Sequence, residues 1–228
     1  MKKILATLLA VSMTAGIVNA QQVLSRNAVG YVKVDIESNK LYFVGVPFIN
    51  MADGSDMHRI TNVFAGLPPL SIVSIWNPVD QVFDSFGRNS RGTWGTAAET
   101  AEISRLQGAF LRLPADNPPT NIFLMGEVPD STTAPTQAME RFSGLTAVIY
   151  PYPAQVRMTN TALGINLPAL GIISIWDSGT QEYISVGKSS RGVWGSDADT
   201  LDLLPGQAVF LRTSVAGTWD EVKPYTWP

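Results

Sequence analysis

The chain has 228 residues, 45% of them apolar and 15% charged, with a formal net charge of −3. That mixture excludes a disordered chain and a nucleic-acid binder working by bulk charge. The absence of cysteine removes disulfides, thiolate nucleophiles, Fe–S clusters and cysteine zinc sites, and the single histidine leaves at most one imidazole for any catalytic or metal role.

Residues 1–20 have the pattern of a secretory signal peptide. Lys2 and Lys3 form a basic start, an apolar run follows, and Val18-Asn19-Ala20 ends it with small residues, predicting Gln21 as the mature terminus. The run is too short to span a bilayer as a helix. Its removal leaves 14 basic and 19 acidic side chains, a formal −5. The expectation is an exported product, periplasmic or extracellular, with no membrane span after cleavage.

Short apolar runs then alternate with turn-forming residues, which predicts an all-β chain. A first strand is expected over Val29–Ile36 and a second over Leu41–Phe48, buried on both faces. A short helix is predicted over Ser55–Phe64, with His58 as a surface residue near its start. Ser71–Trp76 and Gln81–Phe86 flank Asn77-Pro78-Val79-Asp80, a hairpin turn. Ala109–Leu113 and Val209–Arg212 are closing strands, each with an arginine two residues after a phenylalanine on the same face, the mark of a half-exposed rim. Thr136–Arg141 is read as a second weak helix.

The chain repeats itself. Residues 71–112 align with 171–212 without a gap, with 18 identities in 42 positions. These include Trp76/Trp176, Gly87/Gly187, Ser90-Arg91-Gly92/Ser190-Arg191-Gly192, Trp94-Gly95/Trp194-Gly195 and Phe110-Leu111-Arg112/Phe210-Leu211-Arg212. Phe43–Phe48 resembles Ala147–Tyr152 at a slightly larger offset, and the Pro-rich stretch 114–119 reads as a seam. The expected architecture is two tandem, internally duplicated β-sandwich or barrel-like units related by a pseudo-twofold axis, covering residues 21–118 and 119–228.

The order Gly30-Tyr31-Val32, Pro47, Ile75-Trp76 and Pro205-Gly206-Gln207-Ala208-Val209-Phe210 resembles uncharacterised exported bacterial proteins built of two β-rich repeats. The first copy departs from that pattern, with Arg105-Leu106 where Pro205-Gly206 stands. The resemblance implies an exported β protein and transfers no catalytic residue.

The candidate ligand-binding residues are Arg91, Trp94, Arg191 and Trp194. Glycines beside them permit close approach, and an arginine stacked on tryptophan offers a plane and donors to a sugar ring or an anionic polymer. The competing expectation is that each tryptophan plugs the core beneath a tight turn. Trp76 and Trp176 are read as core, while Trp219 and Trp227 are left open. Asp197, Asp199 and Asp202, and separately Asp53 and Asp56, lack a full calcium-loop spacing, so no metal and no cofactor is expected. No nucleophile elbow or phosphate loop is present, and the carboxylates that a glycosidase needs fall in turn-like segments. The functional expectation is a non-enzymatic structural or interaction protein of the cell envelope or extracellular space. The alternative is a carbohydrate- or polymer-binding module. The partner is then a second copy of the chain or an extracellular polysaccharide, with no nucleic acid.

Overall fold

The computed structural model of the protein describes residues 28–130 and 136–226. The expected signal peptide, Gln21 and Trp227 lie outside the described residues. The all-β expectation holds. In the first half of the chain the strands are β1 (Val29–Ile36), β2 (Leu41–Val44), β3 (Met57–Arg59), β4 (Ile72–Asn77), β5 (Val82–Gly87), β6 (Glu102–Ser104), β7 (Ala109–Arg112) and β8 (Thr120–Glu127). In the second half they are β9 (Thr136–Arg141), β10 (Gly144–Ile149), β11 (Val156–Arg157), β12 (Ile172–Asp177), β13 (Glu182–Gly187), β14 (Asp202–Leu203), β15 (Ala208–Thr213) and β16 (Gly217–Val222).

All pairings between these strands are antiparallel, and they follow one scheme in both halves. One four-stranded sheet runs β2-β7-β4-β5 and the other β10-β15-β12-β13. The outermost strands of each half pair as ribbons, β1 with β8 and β9 with β16, and a short pair closes each loop region, β3 with β6 and β11 with β14. The strand after the Pro-rich seam, β8, is therefore bonded along its whole length to the strand that opens the described chain.

Two helical expectations are corrected. Thr136–Arg141 is strand β9, paired with β16. Its Gln, Ala, Met and Glu favour helix in isolation, but Met139 alternates inward opposite Trp219, and cross-strand burial decides the conformation. Within Ser55–Phe64 only Ile60–Val63 is helical, and Met57–Arg59 is strand β3. The strand expected over Leu41–Phe48 leaves its ladder after Val44 because the N–H of Gly45 turns to the carbonyl of Gly206 (3.0 Å). The segment stays buried throughout, and Pro47, lacking an N–H, loses nothing by the departure.

Each sheet buries one face in its own half. Ile75, Val73 and Leu111 belong to a first core with Phe48, Phe64 and Leu124. Ile173, Ile175 and Leu211 belong to a second with Tyr152, Leu163 and Trp219. The opposite faces of the two sheets meet each other in a third cluster built from Phe43, Trp76, Phe110, Ile149, Ala208 and Phe210, with Trp176 against it. The rings pack as stacked and edge-on pairs, Phe43 on Phe210 at 4.8 Å and Phe110 against Trp176 at 5.7 Å. The backbones come close there. A Cβ on Gly108 would fall 2.5 Å from Cβ of Ala208.

This contact is locked by a reciprocal set of hydrogen bonds. Trp76 Nε1 donates to the carbonyl of Leu145 (2.9 Å), and Trp176 Nε1 donates to the carbonyl of Leu41 (2.9 Å). The Gln81 side chain accepts from Leu145 N (2.8 Å) and donates to Leu145 O (2.9 Å). Gln181 does the same to Leu41, at 2.8 and 3.1 Å. Both glutamines sit in the left-handed backbone region, φ 56° and 60°, at the end of their hairpin turns. Each half thus satisfies the backbone where the other half's sheet begins. A further tie runs one way only. Arg105, 1% exposed, donates from Nε to Asp56 (2.6 Å), from Nη1 to the carbonyl of Pro151 (2.8 Å), and from Nη2 to Gln137.

Replacing Gln81 and Gln181 by Ala, singly and together, is expected to cost about 1 kcal/mol per site, because each change strands the N–H of Leu145 or Leu41 and removes one of the two donors to its carbonyl. Urea unfolding of the three variants checks this. A zero cost at both sites contradicts the latch.

Candidate functional site

The repeated turns built from residues 88–95 and 188–195 are held by local hydrogen bonds. Asn89 N donates to Thr93 O (2.9 Å) and Gly92 N to Asn89 O (2.9 Å), while the Asn89 side chain accepts from the N–H groups of Arg91 and Thr93. The turn requires positive φ at Gly92 and Gly192, 77° and 74°. Trp94 and Trp194 are half-buried, packed against the first and second cores. The cation over each ring is not the arginine at the tip. Arg88 lies 5.5 Å from the Trp94 ring centre and Lys188 lies 5.2 Å from that of Trp194. These cations also bond backbone carbonyls next to the preceding short helices. Arg88 donates to Ala65 (3.0 Å) and Leu67, Lys188 to Ile165 (2.9 Å) and Leu167 (2.7 Å). Burial holds the Lys188 ammonium below its ordinary pKa. Arg91 and Arg191 stand exposed at the turn tips. The structure therefore does not bring Arg91 to Trp94 or Arg191 to Trp194 as stacked pairs. The motif's geometry is that of a clamp between turn, helix and core.

His58 is not a surface residue. It is 5% exposed on β3, opposite Ile103, and its Nε2–H donates to the carbonyl of Phe48 (2.8 Å). Burial, more than any neighbouring charge, lowers its pKa below 6.5. Trp219, left open by the sequence, is buried and donates from Nε1 to Glu221 (3.0 Å). Glu221 is the buried carboxylate that sequence reasoning missed. It accepts from the N–H groups of Ala162 and Leu163 as well, and burial raises its pKa. It borders a cavity of about 410 Å³ with Arg157 and Lys223. Asp53 folds back onto Ser55 N (2.9 Å). Among the described residues no group of three or more His, Asp or Glu is placed to hold a metal ion.

A concave surface lies where the halves meet. Strand register sets it. On the sheet faces that look toward the junction, Leu145, Arg212, Ile172 and Gly187 form one cross-strand row, and Ala147, Phe210, Ser174 and Ser185 the next, followed by Trp176 and Tyr183. The first sheet carries the same rows, namely Leu41, Arg112, Ile72 and Gly87, then Phe43, Phe110, Ser74 and Ser85, then Trp76 and Phe83. The Phe and Trp part of each face is covered by the other half. The serine, glycine and arginine part is not. Over the second sheet this leaves a groove of about 380 Å³, lined by Ser174, Ser185, Tyr183 and Arg212, with Trp76 and Phe83 from the first half as its wall. Phe83 and Tyr183 are 42% and 46% exposed. Ser174 and Ser185 share a hydrogen bond of 2.7 Å, and Ser74 and Ser85 one of 2.8 Å.

No family model, no curated protein and no solved structure matches this chain. The two copies within the chain supply the comparison instead. Of the eight junction-facing positions 72, 74, 76, 83, 85, 87, 110 and 112, seven carry the same residue one hundred positions later, and the eighth is Phe83 against Tyr183. Of the seven positions on the opposite face, 73, 75, 82, 84, 86, 109 and 111, which pack into the core except for the exposed 82 and 84, only Ile75 and Leu111 are repeated.

Trp94→Ala and Trp194→Ala should each destabilise by about 2–3 kcal/mol, below the full-burial range because the rings are half-buried. Arg91→Ala and Arg191→Ala should stay within about 0.5 kcal/mol. Thermal unfolding distinguishes a clamp from a surface site. His58 makes a second prediction. Its folded pKa lies below its unfolded value, so the unfolded chain takes up the proton first. Its contribution is full above pH 6.5 and is lost as pH falls toward the folded pKa. The difference in stability between the native protein and His58→Gln should therefore shrink below pH 6.5. A difference that grows on acidification contradicts the buried neutral imidazole.

Proposed function

We propose that the chain is an exported, non-enzymatic interaction protein of the cell envelope or extracellular space, and that it engages its partner on the exposed flanks of the two junction-facing sheet surfaces. The observation that carries this is the placement of the repeated residues. Packing across the junction accounts for Trp76, Phe110 and their counterparts. It does not account for Ser74, Ser85, Gly87 and Arg112, which lie beside that contact and are repeated as faithfully. Most other exposed positions of the repeat have diverged, as at 79, 80, 82, 84, 93 and 97, and most substitutions at such positions change stability by less than about 0.5 kcal/mol; the exposed turn tip Ser90-Arg91 is repeated as well. The resemblance to exported two-repeat proteins fits the same placement outside the cytoplasm.

A second, narrower reading is carbohydrate binding. It is favoured by the exposed Phe83 and Tyr183 rings standing beside paired serine hydroxyls in one groove, since a sugar presents a C–H face to a ring and hydroxyls to polar groups. This moves the carbohydrate hypothesis from the Arg91/Trp94 and Arg191/Trp194 turns to the junction.

The test is affinity electrophoresis of the mature protein through a panel of soluble polysaccharides, together with sedimentation velocity over a range of concentrations. The comparison is with Ser85→Asp/Ser185→Asp, which places charge on both flanks at exposed positions. The native protein is expected to be retarded or to self-associate, and the double variant to lose that behaviour at unchanged melting temperature. A protein that is neither retarded nor self-associating at any concentration overturns the proposal.

A further inference from the structure

Arg112 and Arg212 lie at the same register position in the two sheets, beside Ile72 and Ile172. Both are exposed, and neither guanidinium has a hydrogen-bond or ion-pair partner among the described residues. Of the other cations of the repeat, Arg91 and Arg191 stand exposed at the turn tips and line no part of the groove, and the rest are engaged. Arg88 and Lys188 hold backbone carbonyls, and Arg105 is buried in its own network. Arg212 is also the only charged residue lining the junction groove. This is unusual in a chain whose carboxylates outnumber its basic residues. An unpaired guanidinium at the side of a groove with no carboxylate is a fork of donors matched to a planar anion.

From this juxtaposition we infer that each flank binds an acidic polysaccharide, with Arg112 or Arg212 taking the anionic group of one residue. Phe83 or Tyr183 receives the apolar face of a neighbouring ring, and the serine pair receives its hydroxyls. The inference rests on the carbohydrate reading above and specifies its substrate class. The groove's dimensions agree with it. A volume of about 380 Å³ takes a sugar unit or two and is open, so a chain can pass through. The first sheet carries the same rows of residues, so a polymer held in the groove can meet a second flank of like chemistry, and that contact forms at high effective concentration. The anionic group is a carboxylate in a uronate and a sulfate in a sulfate ester, and both match a guanidinium.

The experiment uses native-gel affinity electrophoresis of the mature protein in a polyuronate, in dextran sulfate and in plain dextran. Alongside run Arg112→Gln/Arg212→Gln and, as a control for removing surface charge, Arg91→Gln/Arg191→Gln. The native protein should be retarded by one or both acidic polymers, less at higher salt, and not by dextran. The groove variant should lose at least tenfold in apparent affinity without a change in melting temperature, and the control should keep it. Retardation by the polyuronate alone assigns the carboxylate, and by dextran sulfate alone the sulfate. Equal retardation by dextran overturns the acidic class while leaving the carbohydrate reading intact. No retardation by any polymer overturns both. Retardation of the groove variant equal to that of the native protein overturns the assignment of Arg112 and Arg212.

Discussion

The rest of the molecule depends on a reciprocal contact. Each half ends a hairpin with a tryptophan and a left-handed glutamine that capture the first sheet strand of the other half at one residue, Leu145 or Leu41. A sheet whose second face is aromatic cannot leave that face in water without exposing a large apolar patch. Two copies of the same face, turned toward each other, cover it. The hydrogen bonds then fix the register of that covering, since displacement strands the N–H and the carbonyl of the captured leucine. This explains why the glutamine is repeated although it adopts a backbone conformation that costs a non-glycine residue about 1 kcal/mol or more. It also explains why glycine and alanine, at 108 and 208, meet where the backbones come close.

Where the halves differ, they differ away from that face. Near the first-half ribbon the buried space is taken by Phe48, its ring against Gly30 and its Cβ against Gly126, whose missing Cβ also leaves room for the carbonyl of Ile49. The second half has Tyr152 and a buried Glu221 that satisfies the N–H groups opening the helix Ala162–Asn166. One solution is apolar and the other polar, and both close their core. Arg105 has no equivalent, because Pro205 takes that position. Its three donors reach Asp56 in the first half and Gln137 and Pro151 in the second. A guanidinium this deeply buried is stable only when its donors are met, so it ties the two halves in one direction without repeating.

Strand positions were legible because alternation is local. Val29–Ile36 alternates exposed and partly buried residues along its length, and that period shows in the sequence. Thr136–Arg141 was not legible, since its pairing partner lies about eighty residues away and its own composition favours helix. Trp94 and Trp194 drew attention as a motif, and each ring is half-buried against a core with a cation over it. The cation that completes it, Arg88 or Lys188, is supplied across the turn and recruited by helix carbonyls. A sequence-level signal for the junction was present in another form. Identities at 72, 74 and 76, at 85 and 87, and at 110 and 112 fall on one alternation, with Ile75 and Leu111 the identities of these strands on the other. That period marks one face of a sheet. What it did not disclose was which face looks outward, because this requires the cross-strand register of β4, β5 and β7.

The same geometry that closes the molecule leaves its flanks open. Two sheets meeting through one aromatic corner each overlap only in part. The rows beyond the corner carry a small or polar floor, Ser and Gly, edged by Ile and Arg. If overlap alone set these residues, the uncovered rows would be free to diverge as Val82/Glu182 and Asp84/Ile184 have on the opposite face of the same edge strands. They have not. A constraint acting equally on two flanks, and independent of the contact between them, is what a partner touching both would impose. The aromatic walls come from the neighbouring half, Phe83 and Trp76 bordering the floor of the second sheet. The groove over the second sheet therefore exists only in the assembled pair, so the latch at Leu41 and Leu145 that sets the contact between the halves also sets the shape of that groove.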